Sequence, residues 1–384
     1  MKNKIVKILS YILVATLAST VTTYVTARAQ GKQYTKLNQL AQLIEERFIE
    51  DVDMAQAEDA AAAAMVDALG DKWSYYLTAE EYVTHMEHMN NAYVGIGVTI
   101  SGTEDGNGVE ILKVETNGPA QEAGIQVGDL IVGVEGQAVK DMTTTELRNL
   151  VRGKEGTFVV LTMNRAGKIF ELSVERRTVE TAVATGQMLE DNVGLVTILN
   201  FDSRCADESI AAIEALIEQG ARALIFDVRN NPGGYKDEMV KLLDYLLPEG
   251  ALFRSEDYKG EILVDESNAK CLEMPMAVLV NGGSYSAAEF FAAALAEYDW
   301  AIVGGTQTSG KGYFQVTYTL DDGSAVGLSI GKYTTPKGIS LQDVGIIPDV
   351  VTEVDEETEY KIYAGLLSPE EDPQICALKQ SLIP

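Results

Sequence analysis

From about residue 190 the chain alternates short apolar runs with stretches of helical periodicity, and this alternation constrains the fold more than any other feature. Residues 193–199, 223–228 and 276–280 read as buried strands. Residues 206–219, 237–247 and 286–298 read as helices. Ile210, Ile213, Leu216 and Ile217 share one face of the first, and Ala287, Phe290, Phe291, Ala294, Leu295 and Tyr298 share one face of the third. Such a segment packs helices on a sheet, so its class is α/β. Strands dominate residues 301–334, and the stretch after Pro369 carries few structural signals.

The earlier part of the chain follows different rules. Residues 34–90 are helical, with Leu37, Leu40, Leu43, Ile44 and Phe48 at helical spacing and an alanine run at 60–64. These helices could cap a later domain or join two copies of the chain. Residues 92–177 switch to short strands and glycine turns, with short helices near 118–124 and 144–152. Within that block, Tyr93-Val94-Gly95-Ile96-Gly97 and the run Gly118-Pro-Ala120 … Ala123-Gly124-Ile125 … Gly128-Asp129 together resemble a PDZ domain. Successive backbone N–H groups in such a glycine turn can hold a terminal carboxylate while a peptide adds beside them as a strand.

Lys2, Lys4 and Lys7 precede an apolar stretch from 8 to 25, and Ala27-Arg28-Ala29 follows it. A cleaved signal peptide and an uncleaved membrane anchor both fit residues 1–30, and either places the remainder outside the cytoplasmic membrane. The formal charge of −28 argues against a nucleic-acid surface, which needs clustered Lys and Arg. The three cysteines, Cys205, Cys271 and Cys376, lack metal-ligand spacing and read as free thiols, although a Cys205–Cys271 bridge stays open. His85 and His88 lack the i, i+4 spacing of a zinc helix, so no metal is expected.

These are the only two histidines, and a serine nucleophile in this chain therefore needs another base. Three segments offer the parts. Asn281-Gly-Gly-Ser-Tyr-Ser286-Ala-Ala-Glu289 runs from a strand into a helix and sets Ser286 in its first turn, where unpaired N–H groups and the helix dipole favour a developing oxyanion. Read alone, Ser284 or Ser286 is equally an ordinary helix cap. Asp227-Val-Arg-Asn230-Asn231-Pro232-Gly233-Gly234 also follows a buried strand, and amides near Gly233 and Gly234 can supply a second donor; read alone it is an Asn-Pro-Gly turn. Thr308-Ser-Gly-Lys311-Gly-Tyr-Phe-Gln315 places a lysine between glycines. An amine with an ordinary pKa of about 10.4 becomes a base only if its surroundings depress that value. The Gln315 carbonyl could orient such an amine without adding charge. The segment is not a nucleotide-binding loop, because it lacks the earlier glycine and the following Ser or Thr.

Taken in order, these segments, together with Tyr333-Thr-Thr-Pro336-Lys-Gly338 and Gly345-Ile-Ile-Pro348-Asp349, resemble the carboxyl-terminal processing (tail-specific) proteases over roughly residues 37–351. The resemblance implies a Ser–Lys dyad whose lysine lies 25 residues after the serine, which selects Ser286 with Lys311 over Ser284. It implies that Gln315 assists the lysine, that Gly233 or Gly234 and the Ala287 amide form the oxyanion hole, that no cofactor is used, and that the catalytic domain is crotonase-like. One position departs from the pattern: Tyr285 stands where the family commonly has alanine, which would narrow the site beside Ser286.

The expected architecture is thus a leader or anchor at 1–30, helices at 34–90, a PDZ domain at 92–177, a peptidase domain at 178–365 and a tail at 366–384. The expected function is an exported serine endopeptidase acting on proteins or peptides with free C-terminal tails, located at the cell envelope or secreted. A homodimer through the helices and membrane attachment through residues 1–30 are the further partners considered. Two rivals are a non-catalytic PDZ scaffold and a crotonase-like enzyme acting on acyl thioesters.

Overall fold

In the computed structural model, residues 35–103, 106–140, 142–268, 270–363 and 365–382 are described. The leader or anchor expected at 1–30 lies outside them. Among the described residues no helix is long and apolar enough to cross a membrane.

The described residues divide into two compact units, one up to Tyr76 and one from Leu77 onward. The first holds helices α1 (Thr35–Arg47) and α2 (Met54–Asp67). Asp53 caps α2 by accepting from the Ala55 and Gln56 amides. On α1, Leu40, Leu43 and Phe48 just beyond its end are exposed.

The second unit opens with α3 (Ala79–Met89), started by a reciprocal cap between Thr78 and Glu81. The PDZ-like domain follows. Strands β2 (Val98–Gly102), β3 (Val109–Val114), β4 (Leu130–Val134), β5 (Phe158–Arg165) and β6 (Lys168–Glu175) form an antiparallel sheet in that order. Helices α4 (Pro119–Glu122) and α5 (Thr144–Val151) complete it, and Ile111, Ile131, Leu147, Leu161 and Met163 fill its core. A separate ribbon of β1 (Ala92–Gly95) and β7 (Arg177–Glu180) carries the chain in and out. At its foot, Asn91 and Asn200 exchange side-chain amide hydrogen bonds of 3.0 and 2.8 Å. Arg204 donates to the Thr181 carbonyl at 2.9 Å.

The α/β domain is built on a sheet of β8 (Ala184–Met188), β9 (Val193–Ile198), β10 (Ala223–Asp227), β13 (Met276–Val280), β14 (Ala301–Gly305) and β17 (Val350–Val351), in that spatial order. The β8–β9 pair is antiparallel and the remaining pairs are parallel. Helices α6 (Cys205–Glu218) and α7 (Lys236–Leu246) lie between the strands in sequence. A second, antiparallel sheet holds β11 (Gly250–Asp257), β12 (Ile262–Ser267), β15 (Tyr313–Thr319) and β16 (Ala325–Thr334).

Helix α8 (Ala287–Glu297) is more deeply embedded than its one-sided periodicity suggests, for residues 287–295 are all buried. The cause is packing on two sides. Phe291 meets Phe226 of the parallel sheet edge-on at 5.4 Å, while Phe290 meets Phe253 of the second sheet edge-on at 5.1 Å. The serine in question therefore sits at the end of a helix held from both faces.

One stretch differs from the sequence reading. The stretch after Pro369 is not featureless: beyond α9 (Glu356–Tyr363) it forms α10 (Pro373–Leu382), whose Ile375 and Leu378 enter the core beside Val193, Ile225 and Leu279. Asp372 caps α10 through the Gln374 and Ile375 amides, and Pro373 occupies its first position. The three cysteines are all unpaired, and Cys205 is buried.

Candidate active site

Strands β10, β13 and β14 are parallel neighbours, so their C-terminal ends deliver three loops, 228–235, 281–286 and 306–312, to one edge of the sheet. Ligand sites of open α/β sheets gather at that edge. Asparagines tie the first two loops together. Asn281 Oδ1 accepts from the Asn230 amide at 2.8 Å and the Gly283 amide at 3.0 Å, and its Nδ2 donates to Asn230 Oδ1 at 3.0 Å. Tyr285 N donates to the Asn231 carbonyl at 3.1 Å.

Ser284 and Ser286 differ sharply. Ser284 is fully buried and its hydroxyl is committed to the Val228 carbonyl at 2.6 Å, a structural bond. Ser286 is the N-cap of α8 with φ 57° and ψ −126°, a backbone conformation that is costly for a residue with a Cβ. Strain of this kind in a strand-to-helix turn is one way a fold positions a nucleophilic side chain, and Ser286 is itself 9% exposed.

Glu289, one turn into α8, organises the site. It is completely buried, and its carboxylate takes four hydrogen bonds. Oε2 accepts from the Ser286 amide at 3.0 Å and the Lys311 amide at 2.8 Å; Oε1 accepts from Thr308 Oγ1 at 2.5 Å and the Gly310 amide at 2.8 Å. Burial pushes its carboxyl above the ordinary value, and the bonds from Thr308, Lys311, Gly310 and Ser286 oppose that shift. One oxygen atom thus fixes the backbones of both Ser286 and Lys311. The Lys311 side chain is half-buried, and its Nζ lies 5.7 Å from the centroid of the Tyr285 ring.

The candidate oxyanion residues differ in their surroundings. Gly233 presses on the serine: a Cβ there would stand 2.8 Å from Ser286 Cβ and 2.9 Å from the Ala287 nitrogen. Its own N–H, however, donates to Asn231 Oδ1 at 2.9 Å. Among the described residues the Gly234 and Ala287 amides donate to no other backbone group. Gly233 has φ 90°, so Gly233→Ala combines backbone strain with a collision at the serine. We expect that variant to lose at least tenfold in kcat, measured on a peptide substrate, with a steady-state KM close to that of the parent.

Gln315 lies on β15 beside a break in register between Phe314 and Gln315, an irregularity that re-aims side chains. Its Nε2 donates to Ser329 Oγ at 2.9 Å and the Tyr313 carbonyl at 3.2 Å, so the amide is anchored by its nitrogen end. The expected PDZ residues lie in a different place. Tyr93, Gly95, Ile96 and Gly97 line a cavity of about 340 Å³ between β2 and α5; Val94 does not. Arg148 and Arg152 of the α5 side also line it, and the sequence reading missed both.

A PDZ-like domain joined to an α/β domain in which the backbone amides of a strained serine and of a lysine share one carboxylate fits the class of serine peptidases. The comparisons agree. The "Peptidase family S41" model matches residues 192–352 and the "PDZ domain" model residues 110–165. The chain is 32% identical over 368 residues to the "Carboxy-terminal processing protease CtpA" of Bacillus subtilis strain 168, covering 92% of this chain and 78% of that protein. It is 32% identical over 324 residues to the "Probable CtpA-like serine protease" of Staphylococcus saprophyticus, covering 83% of this chain and 65% of that one. A solved structure from Bacteroides fragilis placed among the S41 proteases superposes with a TM-score of 0.53 at 16% identity over 86% of this chain and 98% of its own, which bears on the fold alone.

The chain belongs to the S41 family of C-terminal processing serine peptidases.

Proposed function

We propose that the chain is an exported endopeptidase that works through a Ser286–Lys311 dyad. Ser286 Oγ attacks the peptide carbonyl while neutral Lys311 takes its proton. The Gly234 and Ala287 amides stabilise the tetrahedral oxyanion. Lys311 then protonates the leaving amine, and water releases the acyl group. Gln315, anchored through its nitrogen, presents its carbonyl to the lysine. The observation that carries this reading is the single Glu289 oxygen that receives the Ser286 and Lys311 amides.

In the same reading the cavity at Tyr93, Ile96 and Gly97 captures a free C-terminal tail, with backbone amides on the carboxylate. Residues 1–30 direct the chain across the cytoplasmic membrane, where it stays anchored or is released. A homodimer would use the exposed apolar face of α1.

The test is cleavage, followed by mass spectrometry, of peptides that differ only at their C-termini, alongside labelling by a fluorophosphonate. The parent chain should cleave and be labelled; Ser286→Ala should do neither, and Lys311→Ala should lose cleavage. Parent-level proteolysis in either variant would sink the dyad.

A further inference from the structure

Tyr285 is the motif position that the proposed chemistry leaves unused. Its backbone is pinned: the N–H donates to the Asn231 carbonyl at 3.1 Å, and the carbonyl accepts from Ala288 N at 3.3 Å. The ring is therefore placed by its own side-chain torsions from a fixed root between the two serines. It is half-buried, with its phenol pushed above the ordinary value by that burial. The Lys311 Nζ lies 5.7 Å from the ring centroid, within the range in which the negative face of an aromatic ring attracts an ammonium. The lysine thus has an aromatic surface beside it.

We propose that Tyr285 is a positioning residue for Lys311: its ring face holds the protonated amine and so sets the pH at which the lysine becomes available as a base. The inference rests on the dyad reading above. A ring that stabilises the ammonium keeps the proton on the amine to higher pH than an aliphatic side chain of the same size would. Ionisable residues on the elements beside the lysine include Glu289 of α8, which accepts the Lys311 backbone amide, Asp343 of the loop whose backbone packs on Gly310, and Tyr313 two residues further on. None of them changes in the substitutions used as the test.

The test is the pH profile of kcat/KM on a cleaved peptide for the parent, Tyr285→Phe and Tyr285→Leu, with Tyr285→Met as a second aliphatic replacement. The acid limb of such a profile reports the base in the free enzyme. Phenylalanine keeps the ring and should keep the midpoint. Leucine and methionine should move it down by about half a pH unit, which is roughly a threefold gain in kcat/KM on the acid limb. Midpoints that stay put in both aliphatic variants, or a phenylalanine variant that shifts with them, overturn the assignment to the ring. Unchanged activity in Lys311→Ala would instead overturn the dyad beneath it, so the two failures are distinguishable.

Discussion

Glu289→Gln is expected to lower kcat by about 100-fold while moving KM little, because a displacement of about 1 Å at a reacting group has that effect. The carboxylate offers two acceptor oxygens to four donors. An amide offers one oxygen and one NH2. If the NH2 takes the Oε1 place, it confronts the Gly310 amide and the lysine turn shifts. If it takes the Oε2 place, it confronts the Ser286 and Lys311 amides directly. Either way a buried donor loses its partner, at about 1–3 kcal/mol each, and the thermal midpoint should fall. The loss of charge also removes a favourable interaction with the N-terminus of α8. A companion pair separates geometry from folding. Thr308→Ser keeps the hydroxyl on Glu289 and should stay near parent activity, whereas Thr308→Val should lose part of it. A Glu289→Gln enzyme with parent kcat would show that the shared carboxylate does not align the two turns.

The second large effect concerns Asp202, behind the Gly233–Gly234 turn. It is 4% exposed, its Oδ1 is buried with no hydrogen-bond partner among the described residues, and a Cβ on Gly234 would stand 2.7 Å from that oxygen. Burial raises its pKa from 3.8 to about 7. The sign follows from linkage: the folded state binds this proton more tightly than the unfolded state, so the associated stability is fully present below the unfolded value. It is lost as pH rises from there through the folded value. Asp202→Asn removes the ionisation. The variant should therefore be more stable than the parent by about 4 kcal/mol at pH 8, with the gain shrinking below pH 7 and vanishing near pH 4. Chemical denaturation at several pH values reads this directly. A variant equal to the parent at pH 8 would mean that the parent carboxylate finds a solvating partner.

Much of this was readable in the sequence for a physical reason. Strand period, helix period and glycine turns are local, so the alternation after residue 190 gave the α/β class. Adjacent parallel strands then bring loops distant in sequence to one edge. Cross-chain partnerships were not readable. Nothing local marks Glu289 as the acceptor for Lys311, or the Asn231 carbonyl as the acceptor for the Tyr285 amide; each depends on strand order. The full burial of α8 escaped because periodicity counts one packing partner and the fold supplies two. Helix α10 did leave a signal: Asp372-Pro373 is a cap followed by a first-turn proline, but it is too short to stand out from an acidic stretch.

The foot of the PDZ ribbon has a mechanical consequence. Asn91 and Thr181, where the ribbon enters and leaves, are fastened to Asn200 and Arg204. Between these anchors lies Phe201, whose N–H holds the Gly233 carbonyl at 2.7 Å and whose carbonyl holds the Tyr235 amide at 2.7 Å. A torque on the ribbon therefore reaches the glycine turn through three residues of backbone, with no long lever between them. Swinging the PDZ body must either break the paired asparagine amides or tug on the loop beside Ser286.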